Sequence, residues 1–152
     1  MQNANSYSKA THVLLIDDDE DERDIFELAI AQSNLPIELD NVTTCDKEKL
    51  SSLKKPDFIF LDINMPIYDG FVWLKGIREK VAERIPVIMY STTRNPEKIE
   101  KAYKMGANLF VSKPETTASL SNILRKILRM NWENPTKLTE ESYANDKFHY
   151  VA

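Results

Sequence analysis

The chain has 152 residues with a formal net charge of −4 and 42% hydrophobic residues, which suits one domain with an ordinary core and scarcely two domains. No basic stripe marks a phosphate-backbone binder, and no apolar run approaches the roughly 20 residues of a membrane-spanning helix. The lone Cys45 cannot close an internal disulfide and the polar Met1–Ala10 lacks a signal core, so the expectation is a soluble cytoplasmic protein without nucleic-acid or membrane partners.

Residues 1–10 read as a polar extension. Val13-Leu-Leu-Ile16 is the first apolar run, and it leads directly into six acids, Asp17 to Glu22. Asp17 and Asp18 stand at the strand end. Asp19 to Glu22 suit the first turn of the next helix, where acids offset the macrodipole. Ile25, Leu28 and Ala29 share one face of that helix. Ile37–Val42 is the second run, and Leu50 and Leu53 mark a short second helix, with Cys45 an inert residue near it. Phe58-Ile-Phe-Leu61 is the third run. Phe71, Leu74, Ile77 and Val81 mark a third helix, weakened slightly by Gly76. Val87–Tyr90 is the fourth run; Ile99, Ala102 and Tyr103 mark a fourth helix, with Gly106 as its cap. Leu109-Phe-Val111 is the fifth, followed by a helix carrying the stripe Leu120, Ile123, Leu124, Ile127 and Leu128. Trp73 and Trp132 read as packing residues, and His12 and His149 as residues without a partner. Residues 133–152 form a tail too short for an effector domain. It either frays or packs back through Tyr143, Phe148 and Tyr150.

Three of the runs are continuous rather than alternating, as strands buried on both faces are. Strand and helix alternate five times across residues 11–132. The expected fold is α/β, a five-stranded parallel sheet with helices on both faces and right-handed crossovers. Such sheets bind ligands beyond their C-terminal strand ends. Asp17 and Asp18 follow the first strand, and Asp62 the third. Ser91, Thr92 and Thr93 follow the fourth, and Ser112, Lys113 and Pro114 the fifth. The second contributes little, which suits the order 2-1-3-4-5.

Three carboxylates at one edge disfavour each other's ionisation. A hard divalent cation removes that conflict, and Mg²⁺ needs only one or two carboxylates plus waters and phosphate oxygens. Zinc would want a His or Cys cluster, which is missing. A lysine and a hydroxyl beside the cation would hold an oxygen-rich anion, and a phosphoryl group matches all three partners. One carboxylate could be the nucleophile, giving an aspartyl-phosphate.

Val13-Leu-Leu-Ile-Asp17-Asp18, Phe60-Leu-Asp62-Ile-Asn-Met-Pro66 with Asp69-Gly70, Ile85-Pro-Val-Ile-Met-Tyr-Ser91 and Phe110-Val-Ser-Lys113-Pro114 together resemble response-regulator receiver domains, over about residues 11–130. The resemblance implies the flavodoxin-like (βα)5 fold of a stand-alone, chemotaxis-regulator-like receiver. It implies phosphorylation of Asp62 by a phosphohistidine donor, a sensor histidine kinase or a His-phosphotransfer protein. Asp17, Asp18, Asp62 and the backbone carbonyl of Asn64 would hold Mg²⁺. Ser91 and Lys113 would meet the phosphoryl oxygens, and Phe110 would be the aromatic that turns inward when Ser91 moves. Asn64 and Thr93 would tune the phosphate lifetime. A cis Lys113–Pro114 bond is implied as well. The output would be a protein contact with a downstream target, or phosphoryl shuttling. The chain would catalyse only its own phosphotransfer and dephosphorylation and would not otherwise be an enzyme. A homodimer through the fourth helix, fifth strand and fifth helix is a further implication, with Lys101, Tyr103 and Arg125 as candidates.

Each motif alone has a plainer reading. An Asp-Asp after a strand can be a turn and N-cap. Ser91-Thr92-Thr93 can cap the helix that Pro96 opens, and Lys113 can be a loop lysine. The rival function is a haloacid-dehalogenase-like phosphatase with Asp17 as nucleophile. Against it, no acidic pair follows Lys113 on a further strand and there is no room for a cap domain. A scaffold receiver that is never phosphorylated is the third reading.

Overall fold

A computed structural model describes residues 10–43, 55–65, 69–80 and 85–151. Cys45, the helix expected at Leu50 and Leu53, Pro66 and Val81 lie outside the described residues. The strands are β1 (Thr11–Ile16), β2 (Ile37–Val42), β3 (Phe58–Leu61), β4 (Val87–Ser91), β5 (Leu109–Ser112) and β6 (His149–Tyr150). The helices are α1 (Glu20–Ser33), α2 (Gly70–Lys80), α3 (Pro96–Lys104), α4 (Thr117–Leu128) and α5 (Pro135–Ala144). All strand pairs are parallel and the sheet order is β2-β1-β3-β4-β5-β6.

The continuous apolar runs form the centre of the sheet. Every residue of β3, β4 and β5 is buried, as both-face coverage requires. Phe26 of α1 packs edge-on against Phe60 and Tyr90, with ring centroids 5.1 and 5.5 Å apart. Burying rings of this size stabilises by roughly 1.5–3 kcal/mol each. The inward face of α1 is Phe26, Ala29 and Ser33, at helical spacing from Phe26. Leu28, expected inside, is 56% exposed. The stripes of α2 and α4 bury Phe71, Trp73, Leu74 and Ile77, and Leu120, Ile123, Leu124 and Ile127.

Helix ends follow local side-chain chemistry. Asp19, Asn95, Thr116 and Asn134 cap α1, α3, α4 and α5 by accepting backbone N–H bonds, satisfying donors the helix leaves open. The cap of α3 is thus Asn95, directly before Pro96, rather than the Ser91–Thr93 segment. Gly106 follows α3 with φ of +98°, the conformation its cap role predicts.

One expectation is extended and one corrected. The five expected strands stand in the expected order 2-1-3-4-5, and a short sixth joins them because the C-terminal segment packs back on the domain. Phe110 N donates to Phe148 O at 2.9 Å, and Tyr103 stacks on Tyr143 at 3.7 Å. Asn108 Nδ2 donates to Thr139 Oγ1 at 2.9 Å. The Lys113–Pro114 bond is trans, since no described peptide bond is cis; trans is the ordinary preference of an X–Pro amide by about 0.5–1 kcal/mol.

At Gly70, where the turn after β3 enters α2, a Cβ would lie 2.3 Å from Asp62 O and 2.7 Å from Ile63 Cα. Gly70→Ala must therefore push the β3 terminus and α2 apart. Urea unfolding is expected to show a loss of about 1–3 kcal/mol; an unchanged midpoint would refute this close approach.

Candidate functional site

Parallel register brings the strand ends to one edge. Ile16 pairs with Leu61, so Asp17 and Asp62 follow side by side. Asp62 N donates to Ile16 O at 3.0 Å, and Lys113 N to Ser91 O at 2.8 Å. The apolar strands thus deliver two acids, a hydroxyl and a lysine to one place.

The Lys113 ammonium is the hub. Its Nζ lies 3.1 Å from Asp17 Oδ2, 3.6 Å from Glu22 Oε1 and 3.7 Å from Asp62 Oδ1. It also stands 5.1 Å from the Tyr90 ring centroid. Asp17 and Asp62 are only 1% and 5% exposed, so their negative charges have little water to spread into. Burial lowers the affinity of Lys113 for its proton, but Asp62, Asp17 and Glu22 together outweigh it and hold the lysine charged. Asp62 is pushed up to about 6, chiefly by burial; Lys113 opposes the shift and Asp17 adds to it. Its Oδ1 accepts a hydrogen bond from Asn64 N at 3.3 Å.

Two residues of the site escape the motif. Glu22 was assigned only to the helix start, yet from the first turn of α1 it reaches back to Lys113. Tyr90 Oη donates to Glu22 Oε2 at 3.4 Å, and burial followed by Glu22 pushes that phenol upward. The available signal was that a helix beginning directly at a strand end turns its first-turn side chains over that edge. The other acids keep their assigned place: Asp19 caps α1, and Asp17 Oδ1 accepts the Asp19 N–H at 3.0 Å.

The remaining expected residues differ in burial and partners. Asp18 is half-buried, Asn64 is exposed and Ser91 is fully buried. Thr93 is half-buried; its N–H donates to Ser91 Oγ at 3.3 Å. Phe110 is buried and packs edge-on against His149 at 5.5 Å. His149, expected to lack a partner, has Nε2 2.6 Å from Ser112 Oγ. His12 likewise meets Glu38 and Asp40, at 2.8 and 3.5 Å. Trp132 packs edge-on against Phe58. The three dimer candidates are engaged within the chain. Lys101 lies over Phe71, Tyr103 is covered by Tyr143, and Arg125 donates to Gln32 O of α1 at 3.3 Å.

The donor set fits a hard cation. Asp17 and Asp62 approach a single positive charge with carboxylate oxygens, and repulsion from Asp17 adds to the burial that raises Asp62; Mg²⁺ suits such ligands. Among the described residues, however, no three acids or imidazoles are gathered at metal-binding separation. The lysine is the cation that joins them here.

A sign follows for stability. The Asp62 carboxyl is raised in the folded chain to about 6 from an ordinary 3.8, so between these values the folded state holds more protons than the unfolded. Stability then falls as pH rises through that window. Asp62→Asn removes this slope and, in the absence of divalent cations, is expected to stabilise the protein at pH 7 by about 1–3 kcal/mol. Urea titrations from pH 4 to 7 read this; equal slopes in the two proteins would contradict it.

The model of the response regulator receiver domain matches residues 13–125. The sensory transduction protein BceR of Halalkalibacterium halodurans is 33% identical over 84 residues, covering 53% of this chain and 35% of that protein. The chain thus aligns with about a third of that relative's length. Among solved structures, the phosphorylated cyanobacterial phytochrome response regulator RcpA is 27% identical with a TM-score of 0.65, covering 78% of this chain and 91% of that one. A two-component response regulator from Clostridium difficile is 26% identical with a TM-score of 0.67, covering 80% and 98%. With the match spanning most of the sheet and all four site-bearing strand ends, the chain belongs to the response regulator receiver domain family.

Proposed function

We propose that this chain is a phosphorylation-driven switch in a two-component system, with Asp62 as the acceptor. One observation carries the reading: a nearly buried carboxylate at a strand end shares one lysine, 3.7 Å away, with a second buried acid. A phosphohistidine on a kinase or phosphotransfer protein supplies the group. An Asp62 Oδ atom attacks phosphorus, an O–P bond forms, and the P–N bond to the donor imidazole breaks, leaving the electron pair on nitrogen.

The chain's residues supply positioning and charge. Lys113 is held charged beside Asp62 and can follow the incoming oxygens as negative charge spreads over them. Ser91, at the end of the adjacent strand, offers a hydroxyl donor. Asp17, Asp18, Asp62 and the Asn64 carbonyl are the groups that would hold Mg²⁺. When bound, it neutralises charge on the carboxylates and the transferred group. Asn64, exposed beside Asp62, and Thr93 stand where they would govern access of the hydrolytic water. The chain acts on itself alone, and its output is a protein contact in the cytoplasm. Phosphorylated RcpA, similar over most of this chain, supports the reading. Asp17, the nucleophile of the phosphatase alternative, already gives its two carboxylate oxygens to Asp19 N and Lys113.

Incubation with Mg²⁺ and acetyl phosphate, followed by mapping of the labile adduct, tests this. Label is expected on Asp62, lost in Asp62→Ala and slowed at least tenfold in Lys113→Ala, on the order of a lost charge-assisted contact. Label on Asp17, or turnover of added phosphate esters, would overturn it. No adduct from any donor would favour a scaffold.

A further inference from the structure

The segment after α4 packs against α3 and β5, and its contacts lead back to the site. Ser91 Oγ accepts the Thr93 N–H at 3.3 Å. The carbonyl of the same Thr93 accepts a hydrogen bond from Ser112 Oγ at 3.0 Å. The same Ser112 oxygen lies 2.6 Å from His149 Nε2 in β6. A serine hydroxyl has one proton, and here it goes to Thr93 O, so His149 must carry its proton on Nε2 and donate it to Ser112. Burial, followed by Arg94, lowers the His149 pKa, in keeping with a neutral ring. These bonds link the Ser91 hydroxyl at the end of β4, through the backbone of Thr93, to the last strand.

The docked segment is lightly held by comparison with the core. Its strand is two residues long. Its helix α5 buries only Pro135, Thr139 and Ser142, and Phe148 is the one large apolar side chain it buries fully. Tyr143, stacked on Tyr103, remains 38% exposed. Such elements open at low cost. They nevertheless cover the edge of β5 and Tyr103, an aromatic face with a row of strand hydrogen-bonding groups beneath it.

We propose that residues 135–150 are the resting occupant of the face formed by α3 and the β5 edge, and that phosphorylation of Asp62 releases them. This rests on the reading of Asp62 as the acceptor. A phosphoryl group on Asp62 places charged acceptor oxygens beside β4. A charge-assisted bond donated by Ser91 is stronger than the long 3.3 Å bond it accepts from Thr93 N–H, so the side chain reorients to make it even where the new rotamer loses that bond. Ser91 then turns toward the phosphoryl group and gives up the Thr93 N–H. The turn that sets the Thr93 carbonyl changes, Ser112 loses its acceptor, and the His149 bond loses the geometry that held β6. The surface uncovered fits a partner offering an extended strand that leads with an aromatic residue, the chemistry of Phe148–Tyr150 itself.

Hydrogen exchange with mass detection on the full chain tests this, with and without Mg²⁺ and acetyl phosphate, the Asp62 adduct being quantified in the same samples. The expected result is an increase of about tenfold or more in exchange of residues 135–150 and of the Phe110 amide on phosphorylation, with β1 and β3 unchanged. Ser112→Ala leaves Asp62, Ser91 and Lys113 in place. It should still form the adduct, but exchange there should already be raised at rest and respond little further. A full Asp62 adduct with unchanged exchange would overturn the inference while leaving the acceptor role intact. Absence of any adduct would overturn both. A doubled mass with protection retained would also overturn release, showing instead that the segment is exchanged between two copies.

Discussion

One ammonium group holds the site together. Lys113 gathers Asp17 from the end of β1, Glu22 from the start of α1 and Asp62 from the end of β3, within 3.1 to 3.7 Å. Two of these acids are almost fully buried, and burying a charge without a partner is costly. The lysine offsets part of that cost and no more, which is why Asp62 remains raised. The site is therefore under electrostatic tension, and a divalent cation and an anionic group with oxygen donors would together relieve it.

The rest of the fold serves to hold that cluster in register. A one-residue slip of β1 against β3 would turn Asp17 and Asp62 away from each other. The aromatic packing of Phe26, Phe60 and Tyr90 fixes α1 over the sheet, and with it Glu22. Arg78 closes the opposite end of the sheet. It donates to Gly106 O, Ile85 O and Asn108 Oδ1 at 2.9, 2.9 and 2.6 Å, joining α2 to the β4 and β5 entry loops. No helix of the described residues is long and apolar enough to cross a membrane.

What the sequence made legible was whatever depends on neighbours in the chain. Continuous apolar runs such as Phe58–Leu61 announced buried parallel strands, and polar residues at their ends announced the site. Asp62 and Lys113 were therefore readable. Contacts that depend on helix orientation were not. Glu22 belonged to an acidic first turn by pattern, and only the placement of α1 brings it to Lys113. The same limit made Leu28 look buried in place of Phe26, and put Arg125 on the α3 face when it reaches α1. The aromatics Phe148 and Tyr150 hinted at packing back, but their pairing as a sixth strand was not readable, because two residues carry no periodicity. His149 acquires its partner only after β6 has paired with β5. The cis proline came from family resemblance alone, and the trans bond obeys the ordinary local preference.

Asp62 is a buried carboxyl held between one lysine and a second acid. Carbon-13 NMR titration of its side-chain carboxyl, without divalent cations, measures that directly. The structure predicts a midpoint near 6, moving higher in Lys113→Met as the favourable charge is removed. A midpoint at the ordinary carboxylate value, unmoved by Lys113→Met, would contradict it.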